Sequence, residues 1–433
     1  MSGISVALRV RPLNSREQGT TAAARCLTVD EAGSSLQYTG RDPPPNANFS
    51  FDRVLGEAST QADTFEGLKD TVASVLEGFN ATVLAYGQTG SGKTHTLLGD
   101  VSSPTERGVV PRAVAELAQG MARYPECRFK VTLSVIEIYN ERIKDLLDPA
   151  KDNLQVIQDP VRGITVAEAT ELPVAGERDC VELMQLGIAN RAVSATAMNA
   201  GSSRSHCVIY VVVEKAHADG RVEFGKLCLV DLAGSERQDK TGAVGQTATE
   251  GNLINKSLSA LGNVVNALTD PKGGKHIPYR DSKLTRVLQD SLGGTARTVL
   301  IICCSPSLFN DAETLSSLRF GVRAKGIQNS VQANAVRRTP EQLAKALAAA
   351  QAEVEALKAQ VDRLQGGGSN SGGSTGKVAA DSSCCSSGGA GGGLADKQRR
   401  GGMSPGRKWA LVGSLQLAGL AAYFAAVEVL GCA

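Results

Sequence analysis

Gly87-Gln88-Thr89-Gly90-Ser91-Gly92-Lys93-Thr94 decides the reading of this chain. The run has the form GxxxxGK[ST] and follows an apolar, β-prone segment, Ala81 to Tyr86. Strand, glycine-rich turn and helix start, in that order, are what a triphosphate cradle needs. The glycines let backbone N–H groups turn inward towards phosphate oxygens. The helix that follows presents its positive end to the same anion. Lys93 is placed to neutralise the β and γ phosphates, Thr94 to offer a hydroxyl to Mg²⁺, and His95 follows directly. A Gly-Ser-Thr loop matching by accident is the alternative, and further motifs downstream weigh against it.

Outward from this loop, residues 1–327 mix apolar, charged and turn residues as a folded domain does, and are long enough for a large core. The net charge of +2 gives no bulk attraction to nucleic acid or membrane, so a polyanionic partner must meet a local patch. The 10 cysteines are scattered, with no CxxC or Cys/His spacing for zinc. No N-terminal apolar segment reads as a signal peptide, so a reducing cytoplasmic setting is expected.

Strands are expected at Phe129 to Tyr139, His206 to Lys215, Lys226 to Asp231 and Thr298 to Cys304. The last two are short continuous apolar runs, as for strands covered on both faces. Helical patterns lie between, at Ile254 to Leu268 and Ser282 to Leu292. Interleaved helices and buried strands predict a three-layer α/β domain with a mostly parallel or mixed central sheet.

After residue 327 the texture changes. Residues 328–340 read as an extended connector. In 341–365 the apolar positions Leu343, Leu347, Ala350, Val354, Leu357, Val361 and Leu364 alternate by four and three, a heptad seam. Its β-branched a and Leu d residues favour a weak parallel homodimer; an amphipathic helix lying on its own domain is the alternative. Residues 366–408 are a Gly/Ser-rich tether ending in a basic run. The apolar stretch 409–430 contains 409–427, free of charge and long enough for one bilayer span. A membrane anchor, a docking helix and a non-native C-terminus all remain open readings of it.

Two more motifs complete the chemistry. Leu227 to Asp231 is a buried strand ending in an aspartate, the form that holds Mg²⁺ through water. Leu232-Ala233-Gly234-Ser235-Glu236 follows, with a glycine whose amide could approach a γ-phosphate. Asn199-Ala200-Gly201-Ser202-Ser203-Arg204-Ser205-His206 adds hydroxyls and a cation. Together Gly87 to Thr94, Asn199 to His206 and Asp231 to Glu236 resemble the P-loop, switch I and switch II of the kinesin motor domain. Arg9-Val10-Arg11-Pro12, Ser257 to Asn263 and His276 to Thr285 agree, and 323–334 is similar to the motor end and neck linker of conventional, N-terminal-motor kinesins.

The resemblance implies an ATP-hydrolysing, plus-end-directed microtubule motor of the cytoskeleton. It implies that Arg9, Arg11, Pro12 and His95 border the adenine, and that Gly87 to Thr94 cradle the phosphates. Thr94, Ser203 and Asp231 would serve Mg²⁺, Ser202 and Ser203 would close on the γ-phosphate, and Gly234 would sense it. Arg204 and Glu236 would pair when both switches close, ordering the attacking water. Lys240, Lys256, Arg280, Lys283 and Arg286 would meet tubulin, and Asn334 would latch a docked linker. No Asn-Lys-x-Asp guanine reader is present, since Asn255-Lys256-Ser257-Leu258 lacks the aspartate. Asn252 stands where conventional kinesins carry lysine, so weaker track affinity, or a slow ATPase acting as a tether, is the competing expectation.

Overall fold

The computed structural model describes residues 2–18, 24–197, 202–236, 246–272 and 276–337, with backbone alone at 194–197, 202 and 246–255. It also describes the isolated positions 348, 351, 352, 355 and 358, all helical. The rest of the heptad segment, the Gly/Ser tether and the apolar stretch 409–430 lie outside the described residues. The chain divides into two units, Met1–Arg337 and Arg338–Ala433.

Ten strands of the first unit form one sheet. In chain order they are β1 Ser5–Val10, β2 Arg53–Leu55, β3 Asn80–Tyr86, β4 Arg128–Tyr139, β5 Arg142–Asp145, β6 Leu172–Pro173, β7 His206–Ala216, β8 Arg221–Asp231, β9 Arg297–Cys304 and β10 Asn334–Arg337. The spatial order is β6-β4-β7-β8-β3-β9-β1-β2, with β5 paired to β4 and β10 to β8. The sheet is mixed. From β8 through β3, β9 and β1 to β2 the pairings are parallel, and from β8 through β7 and β4 to β6 they are antiparallel. Long hairpin strands can pair antiparallel with a short turn, whereas parallel neighbours need helical crossovers.

Among the described residues of the first unit, eight α-helices cover the faces: α1 Gln61–Glu66, α2 Lys69–Ala73, α3 Lys93–Leu97, α4 Val109–Met121, α5 Glu177–Ala197, α6 Gln246–Leu268, α7 Lys283–Val287 and α8 Asp311–Ala324. Period-two alternation sorts each strand's side chains between them. Leu84, Val208, Tyr210, Cys228, Val230, Leu300 and Ile302 join the core under α6, α7 and α8. Val83, Ile209, Val211, Leu227, Leu229, Val299 and Ile301 join the one under α1, α2, α4 and α5. α4 shows why it packs: Val109, Val110, Ala113, Val114 and Leu117 repeat at three and four, one buried stripe. Truncating a residue such as Leu117 to alanine would cost about 2–5 kcal/mol.

The expected strands are found, each one to five residues longer. The helix expected over Ser282 to Leu292 is only Lys283–Val287. Ser282 caps its start, its hydroxyl accepting from Leu284 N at 3.1 Å. Beyond Leu288 the chain passes into turns, Ser291 N donating to Leu288 O at 3.0 Å, and Thr298 Oγ1 and Asn329 Nδ2 hold it from elsewhere in the fold by donating to Ser291 O at 2.7 and 2.9 Å. Tertiary hydrogen bonding overrides the local helical pattern here. The connector after Ile327 is not loose chain. Gln328–Asn329 pairs with Ser2–Gly3, and β10 extends the ladder of β8.

Candidate functional site

β3 is buried from Asn80 to Ala85 and delivers the glycine-rich loop at its C-terminal end. Gly87 has φ +149°, and a Cβ there would stand 2.2 Å from the Cys303 carbonyl oxygen. Gly92, at φ +102°, turns the chain into α3. α3 is five residues long, so loop amide direction rather than a long macrodipole sets the attraction for anions. Lys93 is buried and donates to Gly87 O and Gln88 O at 2.8 and 2.9 Å. Burial draws its pKa down, with Asp231 the main opposing charge.

Thr94 reaches across to the end of β8, its hydroxyl donating to Asp231 Oδ2 at 2.7 Å. Asp231 Oδ1 is buried with no hydrogen-bond partner, as are Gln88 Oε1 and Ser91 Oγ in the same loop. Orphaned buried acceptors cost about 1–3 kcal/mol each unless a ligand or water meets them. The hydroxyl–carboxylate pair with a spare carboxylate oxygen therefore fits a hydrated Mg²⁺, a hard cation that takes oxygen ligands and keeps waters. Arg191 on α5 holds the acid from behind, at 3.7 Å from Asp231 and 3.3 Å from Glu137. It also donates to Ser205 O at 2.9 Å, tying α5 to the peptide that precedes β7.

Two other peptides close on the loop. Ser202 to Arg204 form a short 3-10 turn, and Ser203 O accepts from Gly234 N at 2.9 Å. Ser235 N donates to Gly87 O at 3.1 Å. Glu236 accepts from Thr89 N at 2.8 Å and from the Thr89 hydroxyl. So residues 87–94, 203 and 234–236 meet, although more than a hundred positions separate the first group from the others. His206, buried, links this meeting point to α6. Its Nδ1 accepts from Ala233 N at 2.9 Å, which leaves Nε2 to donate to Ser257 Oγ at 2.8 Å. Burial, then Arg191 and Lys93, push its pKa down to about 3, so the ring is neutral.

On the far side of the loop, Arg11 donates to Gly90 O at 2.6 Å and is clamped by Glu17 through two 2.7 Å bonds. Pro12 and His95 are exposed beside it. Arg9 differs: its guanidinium is buried, donating to Gln61 Oε1 and Thr96 Oγ1 at 3.0 Å each. Gln61 in turn donates to His95 O at 2.8 Å. Arg9 is thus a strut beneath the rim, and Arg11, Pro12 and His95 form the rim itself.

Of the five basic positions, Lys240 lies outside the described residues. Lys256 is exposed on α6, Arg280 is exposed in the 3-10 turn Tyr279–Asp281, and Lys283 and Arg286 lie on α7, which packs on α6. Asn252 lies within α6. Lys283 Nζ donates to Gln155 at 2.8 Å, and the Glu141 carboxylate accepts from Ser282 Oγ and Lys283 N at 2.8 and 2.7 Å. Asn334, at the start of β10, donates through Nδ2 to Gly78 O, Asn80 Oδ1 and Phe224 O at 3.1, 3.0 and 3.0 Å.

Sequence reading missed Glu17, Gln61, Glu137, Glu141 and Arg191. Arg191 carries no local signal, because its partners Glu137, Ser205 and Asp231 are assembled only by the β4-β7-β8 order. Glu17 lies six residues from Arg11, and an acid that close to a functional arginine was a signal to follow. Among the described residues no cluster of three or more His, Cys, Asp or Glu suits a metal by itself, and no helix is long and apolar enough to cross a membrane.

A family model for the kinesin motor domain matches residues 9–327. A kinesin heavy chain of Syncephalastrum racemosum is 47% identical over 344 residues, covering 77% of this chain and 36% of that protein. One from Neurospora crassa is 48% identical over 368 residues, covering 84% and 39%. The kinesin-like protein KIN-1 of Oryza sativa subsp. japonica is 45% identical over 336 residues, covering 76% and 70%. The chain thus spans little over a third of the two heavy chains. A solved structure of a fast kinesin, titled for its ATPase mechanism and interactions with microtubules, has TM-score 0.72 and 46% identity, covering 78% of this chain and 96% of that one.

Proposed function

The chain belongs to the kinesin motor family, and from that premise we propose that it is an ATP-hydrolysing, plus-end-directed microtubule motor. The observation that carries this reading is that residues 87–94, 203 and 234–236 meet through direct hydrogen bonds. Phosphoryl transfer asks for positioning and charge neutralisation rather than covalent chemistry, and these peptides supply both.

In this reading Lys93 leaves the loop carbonyls to meet the β and γ phosphates of ATP. Thr94, Ser203 and Asp231 would hold Mg²⁺, partly through water, and the ion would supply neutralising charge to the phosphates. Gly234 offers its amide to the γ-phosphate instead of to Ser203 O, and Ser202 closes over it. Glu236 exchanges Thr89 for Arg204 and helps to order the attacking water. His206 and Ser257 carry the displacement of 233–236 to α6, a contiguous packed path with two arrangements. α6, α7 and the Tyr279–Asp281 turn present Lys256, Lys283, Arg286 and Arg280, with Lys240, to the acidic track. The linker 328–340 then docks as β10, with Asn334 as its latch. A linker that follows the motor domain is the arrangement of plus-end-directed members. Dimerisation through 341–365 belongs to the same proposal.

The test is ATP turnover of residues 1–365 with and without microtubules, followed by gliding on polarity-marked filaments. Turnover that microtubules do not stimulate would remove the motor reading. Stimulated turnover without gliding would favour a slow tether, the reading that Asn252 motivates.

A further inference from the structure

One exposed ring at the rim of the glycine-rich loop is gripped from beneath by buried groups. His95 on α3 is exposed, whereas Gln61 below it is only 2% exposed. Gln61 is the first residue of α1, and reciprocal capping fixes where that helix starts. Thr60 Oγ1 accepts from Asp63 N at 3.1 Å, and Asp63 Oδ2 accepts from Thr60 N at 2.8 Å. A glutamine amide offers one acceptor oxygen and two N–H donors, and its neighbours decide which end is which. Arg9 can only donate, so the Gln61 atom 3.0 Å from Arg9 Nη1 is the oxygen. The nitrogen therefore faces His95. It lies 2.8 Å from the His95 carbonyl oxygen, 3.1 Å from Nδ1 and 3.4 Å from Nε2 of the ring. One amide thus holds the backbone and the ring of the same residue. Arg9 also donates to Thr96 Oγ1 at 3.0 Å, in the same helix as His95, so the whole series is tied to α3.

An exposed imidazole left to water samples several rotamers. Holding it beforehand removes that entropy cost from the binding of whatever rests on it. Partial burial, then the Arg9 charge, draw the His95 pKa below the usual imidazole value. The ring is neutral at neutral pH, and its face suits a flat, uncharged aromatic base.

We propose that Gln61 is a positioning residue for purine-base recognition, holding the His95 ring at the rim while Arg9 holds Gln61. The proposal rests on the ATP reading above, in which His95 borders the adenine. Gln61 has no part in meeting the phosphates in that reading, so its effect belongs to the base alone.

The test compares affinities of the full chain for ATP and for inorganic tripolyphosphate, which has no base, by calorimetry with Mg²⁺ present. Gln61→Ala should weaken ATP binding by about threefold to tenfold, the cost of immobilising one side chain, and leave tripolyphosphate binding unchanged. Gln61→Glu keeps an acceptor for Arg9 but sets an oxygen against His95 O, and should weaken ATP binding at least as much. In a His95→Ala background, Gln61→Ala should cost nothing further. Equal losses for ATP and tripolyphosphate, full ATP affinity in Gln61→Glu, or an undiminished cost of Gln61→Ala beside His95→Ala would each overturn the proposal. His95→Ala that binds ATP as the native chain does would instead remove the adenine reading of the rim, and this proposal with it.

Discussion

β8 serves two regions of this molecule, and its two ends are built on different physics. At the C-terminal end, Asp231 is a buried acid held by Thr94 and Arg191, and three distant peptides meet beside it through side-chain charges and loop amides. At the N-terminal end, Arg221 to Phe224 make an ordinary backbone ladder with β10, closed by the amide of Asn334. Roughly 24 Å of strand separates Asp231 from Phe224 at the rise of an extended chain. The first end depends on chemical identity at each position. The second depends on geometry that many sequences could adopt, with one residue fixing the register. On the proposed function, a strand shared by both would give the phosphate end a fixed reference against which the linker docks or leaves.

The sharpest way to break this contrast is at the phosphate end. Lys93→Ala should lower microtubule-stimulated ATP turnover by about 10²–10³-fold or more, with nucleotide binding lost in a fluorescent-analogue titration. Wild-type turnover in this variant would show that the charge-dependent end has been misread. Glu236→Ala should separate binding from chemistry. Nucleotide affinity should stay within about threefold while turnover falls about 10²-fold, an effect confined to the transition state. Equal losses in both would return Glu236 to a structural part, as its bonds to Thr89 permit.

At the linker end the expected effects are smaller. Asn334→Ala removes three side-chain hydrogen bonds and should weaken docking by about 1–3 kcal/mol. Gliding velocity should fall and linker mobility, read by a spin label, should rise, while nucleotide affinity is unchanged. A parallel loss of nucleotide affinity would mean the two ends are not separable. A further effect concerns His206, which joins the 233–236 peptide to α6. Its folded pKa of about 3 lies below the ordinary value of 6.5, so the unfolded chain binds the proton that the folded one refuses. Its contribution to stability is complete above pH 6.5 and is lost as pH falls from there towards 3, by about 1.4 kcal/mol per unit. Urea unfolding at pH 7 and pH 5 should show this loss in the native chain and not in His206→Asn.

How much could be read beforehand differs between the two ends for the same reason. Gly87 to Thr94 and Asp231 to Glu236 are contiguous, and each carries its chemistry within a few residues. The strands expected at 226–231 and 298–304 were legible as apolar runs. The helix expected over 282–292 was not, because its second half is held in turns by Thr298 and Asn329, which donate to Ser291 O from elsewhere in the fold. Arg9 matched its motif, yet its place beneath the rim depended on Gln61 and Thr96, which only packing brings near.

The sequence by itself determined the glycine-rich loop after β3, the acid that faces it, the layered α/β class and the position of a connector after residue 327. Each rests on a local run of residues whose backbone freedom, charge or periodicity admits few alternatives. Only the tertiary structure decided that the sheet is half parallel and half antiparallel, and that Arg191, His206 and Glu17 support the site. It alone showed that residues 334–337 continue the ladder of β8. Those outcomes depend on which strands become neighbours, and that is settled by the burial of the whole apolar surface at once.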